Sequence, residues 1–182
     1  VSSTLMEQIE NLSKIASEFS SFAKMPKAKN ERLELNQLVT SCTELFEKNE
    51  KGVAISLSIP TEPVFVLADR HQLTSVLNNL LKNGQEAIQE GREGHLDVTL
   101  RKKEGKAIIR VRDNGAGIPQ DIQQRVFQPN FTTKGSGTGL GLAICNNIIR
   151  NANGNIYFET GPNGTTFFVE LPLIPEMPVL SR

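Results

Sequence analysis

Between Asn36 and Leu171 the spacing of apolar residues switches repeatedly between a helical period and strict alternation, in the order helix, strand, strand, helix, strand, strand, loop, helix, strand, strand. That order predicts a two-layer α/β sandwich: a mixed, mostly antiparallel sheet with its helices gathered on one face. Leu35 as an apolar staple and Asn36 as N-cap open a first helix whose Leu38, Cys42, Leu45 and Phe46 face the core. Val53, Ile55, Leu57 and Ile59 alternate as a strand, and Val64 to Leu67 forms a short second one between prolines and the next helix. Asp69, with Gln72 three residues on, reads as a capping box for a long helix to about Gln89, its stripe carried by Leu73, Val76, Leu77, Leu80, Leu81, Gly84, Ala87 and Ile88. Leu96 to Lys102 and Ala107 to Arg112 alternate around Glu104-Gly105 as a hairpin, and Asn155 to Thr160 with Thr165 to Leu171 as another. No period repeats, which excludes a solenoid.

Ahead of this block, Leu5, Ile9, Leu12, Ala16, Phe19 and Ala23 follow a heptad-like seam widened by Ile15 and Phe22. A single helix cannot bury such a stripe, so it needs a partner helix, a second copy being the most economical; the bland alternative is a helix lying on the domain that follows. Pro26 ends it, and Met25 to Arg32 reads as a linker. The organisation expected is therefore helix plus linker over 1–32, a main domain over 33–174, and a tail over 175–182. A first residue other than Met suggests an excised fragment.

Composition narrows the function classes. With 20 basic and 20 acidic side chains, the chain lacks the net positive charge of a general phosphate-backbone binder, so no nucleic-acid partner is expected. No run of 18 apolar residues and no tripartite signal is present, so neither a membrane span nor a secretion signal is expected in these residues. Cys42 and Cys145 sit within helical apolar patterns and read as reduced packing residues. His71 and His95 have no neighbours at metal-ligand spacing and read as incidental.

Residues 113–141 differ in kind. They hold six of the 14 glycines and little periodicity beyond a short helix expected around Ile122 to Phe127, and read as a mobile, functional connector. At its start, Asp113-Asn114-Gly115-Ala116-Gly117 places a carboxylate at a strand end before two glycines. An Asp turn accounts for most such strings; the functional reading is a buried acceptor aimed at an exocyclic amine, with backbone passing close to a flat ring. At its end, Gly135 to Leu142, with Gly137, Thr138, Gly139, Leu140 and Gly141, runs straight into a helix, so freed amides and the helix dipole suit phosphate. The string is neither GxxxxGK[ST] nor a glycine fingerprint following a first strand, and HRD and DFG strings are missing. Between them lies Phe127-Gln128-Pro129-Asn130-Phe131-Thr132-Thr133-Lys134. Its phenylalanines either anchor the loop or border a ligand, and Lys134 is either a solvated charge or an ammonium for a terminal phosphate. On the long helix, Asn79 and Asn83 are one turn apart on one face: two satisfied core amides, or hard oxygen ligands of the kind Mg2+ accepts.

In this order, Asn79…Asn83, Asp113-x-Gly-x-Gly, Phe127…Phe131 and Gly137-x-Gly-x-Gly resemble the N, G1, F and G2 boxes of sensor histidine kinase catalytic domains, within the superfamily that includes gyrase and heat-shock chaperone ATPases. The likeness spans about Leu33 to Pro172, and NNLLKNGQEAI, FTTK and GTGLGLAI are most similar to the nitrogen-regulation type. It implies the Bergerat ATP-binding fold, with Asp113 on the adenine amino group, Asn83 on Mg2+, and residues 115–140 as a lid over the triphosphate. It further implies Gly115, Gly117, Phe127, Phe131, Thr133, Gly137, Thr138, Gly139, Leu140 and Gly141 as nucleotide-contacting positions, with Asn79 and Lys134 in the catalytic apparatus. Gly84 stands where the family usually has Ala, a change expected to loosen helix packing without abolishing binding.

In the superfamily's ATPases the residue four before the magnesium Asn is a water-activating Glu. Here it is Asn79, and an amide cannot accept a proton at neutral pH, so fast self-hydrolysis is disfavoured. Transfer would rest on positioning, Mg2+ and lid contacts. The family's phospho-accepting histidine, on the first helix of a dimeric hairpin, is missing here, and EFSSFAKMP resembles the second helix of that hairpin. The expectation is thus the ATP-binding module of a two-component kinase, unable to phosphorylate itself on histidine in cis. Its expected partners are a response regulator and a second copy in the full-length protein, with a membrane only through segments outside this chain. Its location would be cytoplasmic, or the cytosolic part of a membrane-anchored sensor. The competing readings are a superfamily ATPase acting as a clamp or chaperone, and a nucleotide-binding pseudokinase.

Overall fold

In a computed structural model, which describes residues 2–23, 26–47, 52–129 and 139–175, the alternating segments become strands and the 3.6-residue segments become helices. The order among the described residues is α1 (Ser2–Ala23), β1 (Glu31–Glu34), α2 (Leu35–Glu47), β2 (Ala54–Ser58), β3 (Phe65–Ala68), α3 (Arg70–Ala87), β4 (His95–Lys103), β5 (Lys106–Asp113), a 3-10 turn (Gln123–Arg125), α4 (Gly141–Asn151), β6 (Asn155–Gly161) and β7 (Gly164–Pro172). The main sheet runs β2-β4-β5-β7-β6. Only the β2–β4 pair within it is parallel, so the mixed, mostly antiparallel sandwich expected from the pattern is the observed architecture.

One face of that sheet is sealed. Leu96, Val98 and Leu100 of β4, Ala107, Ile109 and Val111 of β5, and Phe167, Val169 and Leu171 of β7 meet the buried stripes of α2, α3 and α4 in one continuous core. Each large aliphatic or aromatic side chain there contributes roughly 1.5–3 kcal/mol of burial, and the opposite row is exposed at His95, Arg101 and Arg112 and half-buried at Asp97, Thr99, Ile108 and Arg110. Cys42 and Cys145 are both free and buried, as expected. Burial pushes the Cys145 thiol up to about 12, so it is inert at neutral pH.

Four local expectations are corrected. Glu31 and Arg32, read as the end of the linker, belong instead to β1, paired antiparallel with β3 in a small second sheet that an isolated Val66–Leu173 bridge joins to β7's end. Asn36 lies inside α2 and does not cap it. Its amide donates to the Pro60 and Glu62 carbonyls and accepts from Val64 N–H, tying the β2–β3 turn to the helix. Leu45 is 69% exposed: Thr43 returns its hydroxyl to the Val39 carbonyl at 2.8 Å and is buried, which centres the sealed face on Val39 and Cys42, away from Leu45. The short helix expected at 122–127 is only the 3-10 turn Gln123–Arg125. In α1, Leu5, Ile9, Leu12 and Ala16 are exposed, so these seam residues do not lie on the domain.

Candidate functional site

Asp69 caps α3 through a 3.0 Å bond from Gln72 N–H to Oδ1. The cap orients a helix whose buried stripe is Leu73, Val76, Leu77, Leu80 and Leu81, leaving Asn79 and Asn83 half-buried at its margin. Against this margin lies the start of α4. A Cβ built on Gly141 would stand 2.4 Å from Asn79 Oδ1, so any larger residue there would turn the Asn79 amide away from the start of α4. Leu140, fully buried, precedes that turn and supplies no side-chain cap, and no acidic residue occupies the first turn of α4. Among the described residues, neither the N-cap nor the first turn supplies a side-chain acceptor to the leading N–H groups, which suits an anion-binding helix end.

Asp113 ends β5 and is 4% exposed. Its Cβ lies 3.6 Å from where a Cβ on Gly84 would stand, which brings the carboxylate beside α3, one residue from Asn83. Gly115 N–H donates to Oδ1 at 2.8 Å and Thr165 N–H donates to the same oxygen at 3.1 Å. Both bonds that the described residues make to this carboxylate end on Oδ1. Burial raises the Asp113 carboxyl above its ordinary value, against the pull of those two N–H donors.

Gly115 presses on the Ala87 carbonyl, 2.5 Å from an imagined Cβ, while Ala116 N–H donates to that carbonyl at 3.3 Å and Arg92 Nη1 donates to Gly115 O at 3.3 Å. Asn114 is stitched to the α3–β4 connection: its amide donates to Glu93 O and accepts from His95 N–H. Gly117 has φ of +77° and abuts the Gly161 carbonyl. Phe127 packs its half-buried ring 5.9 Å from Phe158 and 6.4 Å from Phe167.

The fold therefore brings Asn79, Asn83, Asp113, Gly115, Leu140 and Gly141 to one side of α3, with Gly117 and Gly139 flanking the ends of the intervening segment. Phe131, Thr133, Lys134, Gly137 and Thr138 lie outside the described residues. Sequence reasoning missed Thr165, buried with its N–H on Asp113 and its hydroxyl 2.9 Å from that of Thr160. Its polar side chain stands out on a strand face otherwise filled by Phe167, Val169 and Leu171, but the bond to Asp113 comes from the backbone N–H, which leaves no trace in the residue type. Among the described residues no three His, Cys, Asp or Glu side chains are grouped to hold a metal, and no helix is long and apolar enough to cross a membrane.

Residues 68–175 match the family described as histidine kinase-, DNA gyrase B- and HSP90-like ATPase. The chain belongs to that family. Within this ATPase family it carries the catalytic domain of the sensor histidine kinases, an ATP-binding module. It is 33% identical over 172 residues to sporulation kinase A of Bacillus subtilis, covering 92% of this chain and 28% of that protein. It is 30% identical over 180 residues to the nitrogen regulation protein NtrY of Azorhizobium caulinodans, covering 96% and 23%. The chain thus spans about a quarter of the length of these relatives. The nucleotide-free catalytic domain of histidine kinase ThkA superposes with a TM-score of 0.72 at 34% identity, covering 79% of this chain and 95% of that one. The same kinase in complex with the response regulator protein TrrA gives 0.75 at 30%, covering 93% and 49%.

The departure of Gly84 from the family's usual Ala now has a geometric account. A Cβ there would meet Leu96 Cδ2 at 2.7 Å, so the leucine occupies the space of the missing methyl and the packing is not loosened. Gly84→Ala gains about 1 kcal/mol of helix propensity and forces a flexible leucine end to turn. The net change in unfolding free energy is expected within about 1 kcal/mol of zero, and Gly84→Ala with Leu96→Val should exceed the wild type in a denaturant titration.

Proposed function

We propose that the chain is the catalytic part of a two-component sensor kinase, binding Mg·ATP between α3, the end of β5 and the start of α4. It would donate the γ-phosphoryl to a histidine on another element, for relay to a response-regulator aspartate. The observation that carries this reading is the one-sided use of the Asp113 carboxylate. With Oδ1 already holding the N–H groups of Gly115 and Thr165, Oδ2 is left to accept from the amino group of adenine, and the close-packed glycines beside it admit a flat ring.

The remaining donors suit a metal-bound triphosphate. Asn83 and Asn79 offer amide oxygens, hard ligands acceptable to Mg2+ when phosphates supply most of its shell, and the uncapped start of α4 offers N–H groups to phosphate. Asn83 would hold the ion, whose positive charge eases attack on the terminal phosphate. Gly139, Leu140 and Gly141, with Gly137 and Thr138, would cradle phosphates; Phe131, Thr133 and Lys134 would belong to the cover over them, Lys134 meeting the γ-phosphate. Gly115 and Gly117 would border the base, with Phe127 anchoring the segment from beneath. In α1, the exposed Leu5, Ile9 and Leu12 fit the second helix of a dimerisation hairpin, with residues 33–174 as the catalytic domain. The TrrA complex of a kinase 30% identical to this chain supports a response regulator as partner. A cytoplasmic setting follows from that partnership.

Asn79 separates this reading from a clamp-type ATPase, because an amide cannot serve as the general base for water. The test incubates the chain with Mg·ATP, alone and with a separately supplied helix hairpin bearing the phospho-accepting histidine. An acid-labile phosphoprotein only when the hairpin is present supports kinase action; brisk phosphate release without it supports the ATPase reading. Asn83→Ala should abolish the Mg2+ dependence of ATP binding while adenosine binds nearly as before, measured by titration with and without chelator. Equal loss for both ligands would show a folding defect instead.

A further inference from the structure

The segment between α1 and β1 is fastened to the N-terminus of the helix that carries Asn79 and Asn83. The Asp69 carboxylate is shared: Oδ1 accepts Gln72 N–H at 3.0 Å, capping α3, and Oδ2 accepts Lys29 N–H at 2.8 Å from the linker. Gln72, which a capping box would send back to the Asp69 N–H, instead donates through Nε2 to the Pro26 carbonyl at 3.1 Å. Ala28 and Asn30 of the linker line one small cavity with Leu73 of α3 and Ile149 and Ala152 of α4, so the segment lies across the junction of both helices that build the candidate site. The two backbone N–H donors, Gln72 before Lys29, hold the Asp69 carboxyl below its ordinary value, which agrees with both being engaged.

We propose that Asp69 and Gln72 are positioning residues for phosphoryl transfer: they latch the linker leaving α1 to the start of α3, fixing the direction from which the hairpin helix approaches the nucleotide. This rests on the kinase reading above. The magnitude favours a role beyond capping. Asn83 is fourteen residues along α3 from Asp69, about 21 Å at the helical rise, so a swing of about 10° at the latch displaces the two sides by about 3.7 Å. A misplacement of about 1 Å at a reacting centre is enough to lose about a hundredfold in rate. A cap alone needs one carboxylate oxygen, whereas here the second oxygen and the Gln72 amide both reach the linker.

The test uses the full chain with Asp69→Asn and Gln72→Ala. Asparagine keeps an oxygen for Gln72 N–H and remains a good cap, but presents an N–H donor to the Lys29 N–H. Trypsin cleavage after Lys27 and Lys29, followed by mass spectrometry, should accelerate at least fivefold in each variant. ATP affinity should stay within twofold of wild type, while kcat for transfer to a histidine-bearing first hairpin helix, supplied to pair with α1 of this chain, falls at least tenfold at unchanged KM for ATP. Unchanged cleavage, faster cleavage with unchanged transfer, or a parallel loss of ATP affinity would each overturn the proposal. If the wild type itself bound no ATP, the nucleotide reading would fail, and the cleavage rates would still decide whether the latch exists.

Discussion

Replacing Asp113 by Asn is expected to weaken ATP binding by about 1–3 kcal/mol, roughly five- to 150-fold, the range for mispairing a buried hydrogen-bonding group. The fold should survive. Asparagine retains an oxygen for the Gly115 and Thr165 N–H groups, and it removes a charge that burial already disfavours. Because the carboxyl is raised in the folded state, its contribution to stability is greatest below the ordinary carboxylate pKa and is lost as pH rises through the higher folded value. The variant should therefore unfold at neutral pH no earlier than wild type and show a flatter acid-side profile, with affinity alone impaired. Calorimetric titration of ATP beside thermal unfolding checks both halves; unchanged affinity would remove Asp113 from the site.

The largest expected loss of stability comes from Gly164→Ala. Gly164 has φ of +124°, and a Cβ there would stand 2.0 Å from the Asp113 carbonyl oxygen, 2.8 Å from its carbon and 3.0 Å from Asn114 Cα. All three obstacles are backbone, so no side-chain rotation relieves them. Backbone strain and overpacking together should cost about 3–5 kcal/mol, which corresponds to a fall in melting temperature of roughly 10 °C or more for a domain of this size. The neighbouring Thr165 N–H would be drawn off Asp113, so nucleotide affinity should fall with it. Gly161→Ala, in the same β6–β7 turn with nothing within 4 Å of its Cβ position, is the control and should stay within about 1 kcal/mol of wild type.

The helices and hairpins were legible where burial is one-sided. β4 and β5 alternate because one face is sealed by helices, and α3 shows its stripe because the same side packs throughout. β1 was not legible: in Glu-Arg-Leu-Glu only Leu33 is apolar, and the segment is extended because β3 lies beside it, a tertiary pairing without local signal. Asn36 misled for a related reason, since an amide suited to capping is spent on carbonyls more than twenty residues away. Gln72 fitted the capping-box spacing, but its amide reaches a linker carbonyl 46 residues back. At the site, the order of Asn79, Asn83, Asp113 and the glycines was readable because each is a short local string, whereas Thr165 acts through its backbone N–H, which any residue other than proline could supply.

The most direct test of the shared site is a pair of titrations of the unaltered chain with Mg·ATP and Mg·ITP, nucleotides differing where the base carries an amino group or a carbonyl. If Asp113 Oδ2 receives the adenine amine, ITP should bind at least tenfold more weakly, and Asp113→Asn should shrink that gap. Equal affinities for the two nucleotides would contradict the account, because the carboxylate would then play no part in reading the base.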